Sequence, residues 1–264
     1  MKKRKLPAVY IIDGVRTPIS SPFRAFKDLS AVQLAAHVIK GLVKRHQCQS
    51  KIKEIILGNT VQAGIGQNPA RQAALLAGLS PSVPAYTVNN VCGAGMQAVI
   101  LAAQSLSLLD HQGMMIAGGS ESATHAPFLI NRRDEGSKHA EPTDSLMVDG
   151  LFCSVSQKWM GDLAEGLAQK YRISRQDQDA YALESHQKVV RAQARGLFSQ
   201  EIIPVNVSKL KRVIQDDRPR ENLRLEQLSD LPVSFKKGET VTAGNSSTPC
   251  DGAAAVLLAS DSHY

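Results

Sequence analysis

Over the first 120 residues, short apolar runs rich in β-forming residues alternate with longer runs at helical spacing. This alternation limits the fold more than any other property of the chain. Ala8 to Ile12 is the first strand candidate, broken by Asp13-Gly14 and by Pro18, and helical spacing runs from Leu29 to Arg45. Ile52 to Leu57 is the next strand, closed by Gly58-Asn59. Asn68-Pro69-Ala70-Arg71 then opens an alanine-rich helix that ends near Gly78, with proline in the first turn, where its missing N–H does no harm. Pro84 to Val88 reads as a strand, Met96 to Leu109 as an apolar helix, and Gly113 to Ala117 as a strand stopping at Gly118-Gly119. A β-α-β-α-β-α-β order argues for an α/β fold with a mostly parallel sheet, helices on its faces, and ligand chemistry at the carboxyl ends of the strands.

From Ser120 the character changes. Residues 125–150 are polar, charged and turn-rich, without periodicity, and read as a long excursion. Helices are predicted from about Gly161 to Tyr171 and from Ser174 to Arg195, the second opening on a capping-box-like Ser174-Arg175-Gln176-Asp177. Ile202 to Val207 looks like a strand, and Ala253 to Ala259 reads as a buried strand returning to the first sheet. The expected division is an α/β domain over 1–121, a mainly helical insertion over 122–248, and the returning strand in 249–264.

Within this frame one residue carries reactive potential. Cys92 lies where the strand Pro84–Val88 turns into the Met96–Leu109 helix. Unpaired amides and the positive dipole end at a helix start favour a thiolate, the form in which cysteine is a nucleophile. The alternative is a small buried residue, since free cysteines are among the most buried types. His37 and His125 are candidate bases in principle, against the plainer reading of satisfied surface or loop histidines. Gly64-x-Gly66 and Gly118-Gly119 lack the remaining spacing of a dinucleotide or phosphate loop, and tight turns account for them.

Composition narrows the surroundings. The four cysteines, Cys48, Cys92, Cys153 and Cys250, form no C-x-x-C pair, so neither a disulfide framework nor a metal site is expected, and a reducing compartment is. The basic start, Met1 to Lys5, is followed by an apolar run that stops at Asp13 without a small-residue cleavage site. It reads as a solvated tail on a cytoplasmic chain, with a nuclear address or a nucleic-acid patch as alternatives. No stretch approaches the roughly 20 uninterrupted apolar residues of a membrane span. The net charge of +7 is partly concentrated between Lys209 and Arg224, which could attract an anionic ligand, but the aromatic interleaving of a nucleic-acid groove is missing. Neither nucleic acid nor membrane is an expected partner.

An ordered series of motifs resembles the thiolase family along essentially the whole chain. Val15-Arg16-Thr17-Pro18 and Gly64 to Ala73 look like its early motifs. Asn89-Asn90-Val91-Cys92-Gly93-Ala94-Gly95 resembles its nucleophile motif, and Ala117 to Ser122 the one that follows. Met160-Gly161 with Ala164-Glu165, Thr242 to Ser247, and Asp251 to Ala255 complete the series. The resemblance implies a thiolase-like N-terminal α-β-α half with an inserted loop domain that binds coenzyme A and takes part in oligomerisation. It implies acyl transfer between coenzyme A thioesters through an acyl-Cys92 intermediate, with the Cys92 amide in an oxyanion hole. Met160 would lie near the acyl chain and Ser247 near the pantetheine arm, with Leu151 also among the substrate- and coenzyme A-binding residues. The thioester is substrate, and no separate cofactor is implied.

Other residues of that chemistry are not among the 264. The family uses the histidine of a Gly-His-Pro motif to activate the nucleophile, the cysteine of a second Cys-Gly-Gly-Gly loop as acid and base, and an asparagine to hold a water; none of these motifs occurs here. The Met96–Leu109 helix is apolar on nearly every side and would leave one face open. The expectation is a nucleophile-bearing half that works with a separate chain supplying the second half, together with homo-oligomerisation. Against it stands a catalytically incomplete fragment or acyl-CoA-binding or assembly protein, motivated by the absent base and by Trp159, Leu163 and Gly166, which depart from the loop-domain pattern. A ketoacyl synthase relative is less consistent with Val91-Cys92-Gly93-Ala94.

Overall fold

The computed structural model describes residues 7–108, 113–134, 136, 141–235 and 238–261. The basic cluster Met1–Lys5, Leu109 at the expected helix end, and Tyr264 lie outside the described residues. In chain order the first elements are β1 (Val9–Arg16), α1 (Ala31–His46), β2 (Ile52–Gly58), α2 (Pro69–Leu76), β3 (Ala85–Val88), α3 (Ala94–Leu108) and β4 (Met114–Ser122). The two-residue strands β5 (Phe128–Leu129), β6 (Thr143–Asp144), β7 (Phe152–Cys153) and β8 (Lys158–Trp159) precede α4 (Met160–Tyr171) and α5 (Arg175–Ala194). The strands β9 (Val205–Asn206) and β10 (Arg212–Val213), helix α6 (Leu225–Ser229) and strand β11 (Asp251–Ser260) complete the order.

Two compact units result. The first comprises residues 1–127, 199–216 and 250–264, and the second 128–198 and 217–249. The first therefore extends past 121 and also takes in residues 199–216, which the sequence reading had assigned to the insertion. The reason is long-range pairing. The Arg16 N–H donates to the Glu201 carbonyl at 2.8 Å and the Ile203 N–H to the Arg16 carbonyl at 2.8 Å. The Arg16 guanidinium bridges Glu201 and Asp216 at 2.8 and 2.7 Å.

The first unit is built on a five-stranded sheet of order β1-β11-β4-β2-β3. β2 pairs parallel with β3 and β4, whereas β11 pairs antiparallel with both β1 and β4. The strands β1 to β4 thus all run one way, as the alternation predicts. β11 alone opposes them, which makes the sheet mixed rather than mostly parallel.

Alternate residues of the strands face opposite sides. Ile55, Leu57, Ile116 and Leu257 join α1 and α2 in one core; Ile56, Met115, Ala117 and Leu258 join α3 in the other. α1 begins on a capping box, with the Ser30 hydroxyl accepting from the Gln33 N–H and the Gln33 side chain accepting from the Ser30 N–H. It buries Leu34, Val38, Ile39 and Leu42 completely. α2 starts where expected, its Asn68 side chain accepting from the Arg71 N–H with Pro69 as first helical residue.

Helix α3 buries the stripe Ala94, Ala98, Ala102 and Leu106, while Met96 and Leu108 are 67% and 63% exposed. The 18 residues Val91–Leu108 reach a mean hydropathy of 1.5, long and apolar enough by length and composition to cross a membrane, which the sequence reading did not anticipate. Gln97, Gln104, Ser105 and Ser107 interrupt the window, so no uninterrupted apolar run in it reaches membrane length, and the stripe Ala98, Ala102 and Leu106 packs on the sheet. A second correction concerns Gly118-Gly119. These glycines lie inside β4, which runs on to Ser122, and mark close approach rather than a turn: a Cβ on Gly118 would lie 2.0 Å from the Ala254 carbonyl oxygen. Gly64 and Gly66, at φ of 71° and 91°, are turn residues as predicted.

The second unit is mainly helical, as expected of the insertion, with two short hairpins, β5–β6 and β7–β8, and a wide turn at Leu146–Leu151. α5 begins on the predicted capping box, Ser174 with Asp177. Helices α5 and α6 pack together, and the Arg175 guanidinium caps the end of α6 by donating to the carbonyls of Leu228, Ser229 and Leu231.

Candidate active site

The turn from β3 to α3 is a small hydrogen-bonded knot. The Val91 N–H donates to the Asn89 side-chain oxygen at 2.9 Å, the Gly93 N–H to the Asn90 carbonyl at 3.0 Å, and the Ala94 N–H to the Val91 carbonyl at 3.0 Å. Closing it this tightly puts Val91 at φ +48°, a left-handed conformation that costs a β-branched residue roughly 1–2 kcal/mol. Cys92 follows at once, two residues before α3 begins, at the helix end that favours negative charge. Its side chain is exposed, so the buried-residue reading fails; that description fits Cys48, which is buried and whose thiol burial pushes above the ordinary range.

Small residues let α3 start here. A Cβ on Gly58, the last residue of β2, would lie 2.3 Å from the Ala94 carbonyl carbon, and one on Gly119 would lie 3.4 Å from the Gly95 Cα. The strand ends and the first helical turn are therefore in backbone contact. On its other side the turn is held by the segment after β2. The Thr60 hydroxyl donates to the Val91 carbonyl at 3.0 Å, and the Asn89 amide donates to the Thr60 carbonyl at 3.1 Å. Glu121 at the end of β4 in turn accepts from the N–H groups of Thr60 and Val61 and from the Asn59 amide. Burial raises the Glu121 carboxyl above its ordinary value despite these donors. None of the Asn59, Thr60 and Glu121 contacts was foreseen, because they join segments some 30 and 60 residues apart.

The candidate bases are occupied elsewhere. His37 Nε2 donates to the Pro204 carbonyl at 3.0 Å, and His125 Nδ1 lies 2.9 Å from the Ser122 hydroxyl.

Met160, Leu151 and Ser247, predicted as binding residues, line one cavity of about 1290 Å³ in the second unit. Met147, Trp159 and Phe235 add to its apolar wall, Ser246 and Gln178 to its polar wall. Trp159 stacks edge-on against Phe152 with ring centroids 4.9 Å apart. Phe235 lies over Gly161 so closely that a Cβ there would be 1.8 Å from its ring.

The loop carrying Ser246 and Ser247 is anchored by two buried carboxylates. Glu165 on α4 accepts from the N–H groups of Thr240 and Val241, at 3.0 and 2.7 Å, and from the Thr240 hydroxyl at 2.9 Å. Burial alone would raise its carboxyl, but these donors outweigh it and hold it below the ordinary value. Asp179 on α5 accepts from the Asn245 amide at 2.9 Å and from Arg175 Nε at 2.7 Å. Asn245 also spans its own loop, donating to the Thr240 carbonyl and accepting from the Thr242 N–H. Glu165 was visible as part of a motif; Asp179 was not singled out, and only its spacing to Arg175 on one helix face hints at a pair.

A cavity lined by apolar, hydroxyl, amide and charged side chains together suits a ligand that is part aliphatic and part polar, and an exposed cysteine at a helix start suits covalent acyl chemistry. Among the described residues, no group of three His, Cys, Asp or Glu side chains is placed to hold a metal.

Comparison with known proteins supplies the relatives. Residues 9–262 match the family model described as the thiolase N-terminal domain. Proteins named "Probable acetyl-CoA acyltransferase" from Staphylococcus aureus strains COL and MRSA252 are 44% identical over 260 residues, covering 96% of this chain and 66% of theirs. The crystal structure of Acat5 thiolase from Ascaris suum in complex with coenzyme A is similar with a TM-score of 0.89 and 37% identity, over 96% of this chain and 66% of that one. The chain thus spans just under two thirds of the length of these relatives.

Proposed function

This chain belongs to the thiolase family, and on that premise we propose that it carries the nucleophile half of an acyl-transfer site for coenzyme A thioesters. The observation that carries this reading is Cys92, exposed at the end of a strained turn and at the start of α3. Its thiolate attacks the thioester carbonyl carbon, forming a new carbon–sulfur bond. The bond to coenzyme A breaks, and that sulfur leaves with the electron pair and takes up a proton. The acyl group then passes from Cys92 to the thiol of coenzyme A or to the carbanion of a second thioester. No cofactor beyond the thioester itself is required.

The cavity bearing Met160, Leu151 and Ser247 is assigned to the thioester, supported by its mixed lining and by the coenzyme A complex of the Ascaris relative. Carbanion formation needs a positioned base, and residues 1–264 contain no Gly-His-Pro or Cys-Gly-Gly-Gly motif. We assign that base to the other thiolase half, outside residues 1–264, within an oligomer in the cytoplasm. The exposed apolar residues Met96, Ile100 and Leu108 of α3 support an unsatisfied packing face of this kind.

Intact-protein mass spectrometry after incubation with acetyl-CoA tests the proposal. Stoichiometric acylation that maps to Cys92 and disappears in Cys92→Ala is expected, and adding a thiolase C-terminal half should convert it into turnover with acetoacetyl-CoA. Acylation equal in Cys92→Ala refutes the nucleophile assignment; tight acyl-CoA binding with no acylation, alone or with the added half, favours an acyl-CoA-binding protein.

A further inference from the structure

We propose that Thr60, itself held by Glu121, is a positioning residue for Cys92. The inference rests on the reading of Cys92 as the nucleophile and extends it to groups outside the nucleophile motif.

Thr60 grips the turn at two points. Its hydroxyl donates to the carbonyl of Val91, the residue directly before Cys92, at 3.0 Å, and its carbonyl accepts from the Asn89 amide at 3.1 Å. Asn89 uses its side-chain oxygen to receive the Val91 N–H at 2.9 Å. Both polar groups of the Val91 backbone are therefore tied, directly or through Asn89, to one residue of another segment. A valine at φ +48° persists only where its surroundings over-determine it, and these bonds are the surroundings.

The grip is anchored in turn. The Thr60 N–H donates to Glu121 Oε2 at 2.8 Å, the Asn59 amide donates to Glu121 Oε1 at 3.0 Å, and the Asn59 N–H donates to the Val88 carbonyl at 3.1 Å. The ends of β2, β3 and β4 are thus joined through one carboxylate and one hydroxyl. Neither side chain hydrogen-bonds to the Cys92 sulfur. They act by fixing the direction in which Cys92 leaves the turn and meets the start of α3.

Alkylation of the 264-residue chain by iodoacetamide, with Cys92 read by peptide mass spectrometry, decides the matter. The rate is compared with that of a free peptide spanning residues 87–97. In the wild-type chain Cys92 should react about fivefold faster than in the peptide at pH 7, the order a helix terminus supplies to an anion. Thr60→Val, which loses only the hydroxyl, should bring that advantage down to near one with the circular dichroism of the fold intact. Thr60→Ser, which keeps the hydroxyl, should restore it, a recovery that a role in bulk packing would not give. Glu121→Gln should act in the same direction as Thr60→Val; should it fail to fold, the Thr60 pair decides alone. A fast wild-type Cys92 with an equally fast Thr60→Val overturns the positioning role only. A wild-type Cys92 no faster than the peptide overturns this inference, since the turn then gives the thiol no advantage, whereas the nucleophile reading stands or falls separately on the acylation of Cys92 and its loss in Cys92→Ala.

Discussion

Gly58→Ala tests most directly whether the backbone contact between β2 and α3 sets the place of Cys92. A Cβ at position 58 would lie 2.3 Å from the Ala94 carbonyl carbon, 2.5 Å from the Gly95 nitrogen and 2.6 Å from the Ala94 oxygen, against ordinary contact beginning near 3.4 Å. All three are backbone atoms of the first turn of α3, so no side chain can rotate away. Restoring contact needs a retreat of about 1.1 Å, most of the rise of one helical residue. Alanine in a strand gains about 0.5–1 kcal/mol over glycine from backbone entropy, and overpacking costs about 1–3 kcal/mol, toward its upper end when only backbone can yield. The balance is a destabilisation of about 2 kcal/mol, or a fall in Tm of roughly 4–8 °C for a chain of this size.

The functional effect should exceed the loss in stability. A misplacement of about 1 Å at a reacting group can cost on the order of 100-fold in rate, so acylation of Cys92 should fall far more than the folded fraction does. Urea melts paired with acetyl-CoA acylation separate the two effects. Gly166→Ala provides the control for the melts alone, since Gly166 lines the cavity assigned to the thioester; its Cβ would meet nothing within 4 Å and helix propensity should raise stability by about 0.5–1 kcal/mol. Gly58→Ala that melts with the wild type and acylates at the wild-type rate would refute the argument that this contact seats the nucleophile.

Two further outcomes follow from the charged groups. Glu165→Gln puts an amide where three N–H and O–H donors converge, and should cost about 1–3 kcal/mol and speed hydrogen exchange in residues 240–247; unchanged exchange there would show that Glu165 does not anchor the loop. Burial lowers the folded-state pKa of His37 below its ordinary value near 6.5, only partly countered by its bonds to Pro204 and Ile203, with Lys40 adding to the lowering. The unfolded chain then takes up the proton first, so this contribution to stability is complete above about pH 6.5 and is lost as pH falls. His37→Gln should reduce the drop in urea midpoint between pH 7.5 and 5.5, leaving a residue from His186, which burial and two nearby arginines also hold low; an undiminished drop would exclude His37 as a source.

Much of both units was legible because its signals are local. The starts of α2 and α5 are marked by Asn68-Pro69 and Ser174-x-x-Asp177, and the period-two burial of β2 and β4 follows from their apolar runs. What escaped is non-local. Residues 199–216 join the first unit through bonds to Arg16 some 185 residues away, which no window of sequence displays. Gly118 and Gly119 look like a turn in sequence because glycine permits both turns and close approach, and only the positions of β11 beside Gly118 and of Gly58 and Gly95 beside Gly119 decide between them. The candidate site divides in the same way. Cys92, Glu121, Met160 and Ser247 sit in contiguous motifs, whereas the contacts of Thr60 with Val91, of Glu121 with Thr60 and of Asp179 with Asn245 join residues far apart along the chain and carry no local mark.

The supports of the two candidate regions share one construction with opposite electrostatic outcomes. Glu121 and Glu165 are each enclosed carboxylates that accept two consecutive backbone N–H groups, Thr60 and Val61 in one case and Thr240 and Val241 in the other, and so fix the segment that bears or grips the site residues. Burial dominates at Glu121 and raises its carboxyl, while the donors dominate at Glu165 and lower it. As pH falls, the support of the Cys92 turn therefore takes up a proton before the support of the cavity loop does. Protonation turns one Glu121 oxygen from acceptor to donor and weakens its hold on Thr60, leaving the strained Val91 with less to oppose its relaxation. The Cys92 turn is in this sense the less robust of the two constructions, because the carboxylate that braces it is the one that burial makes easier to protonate.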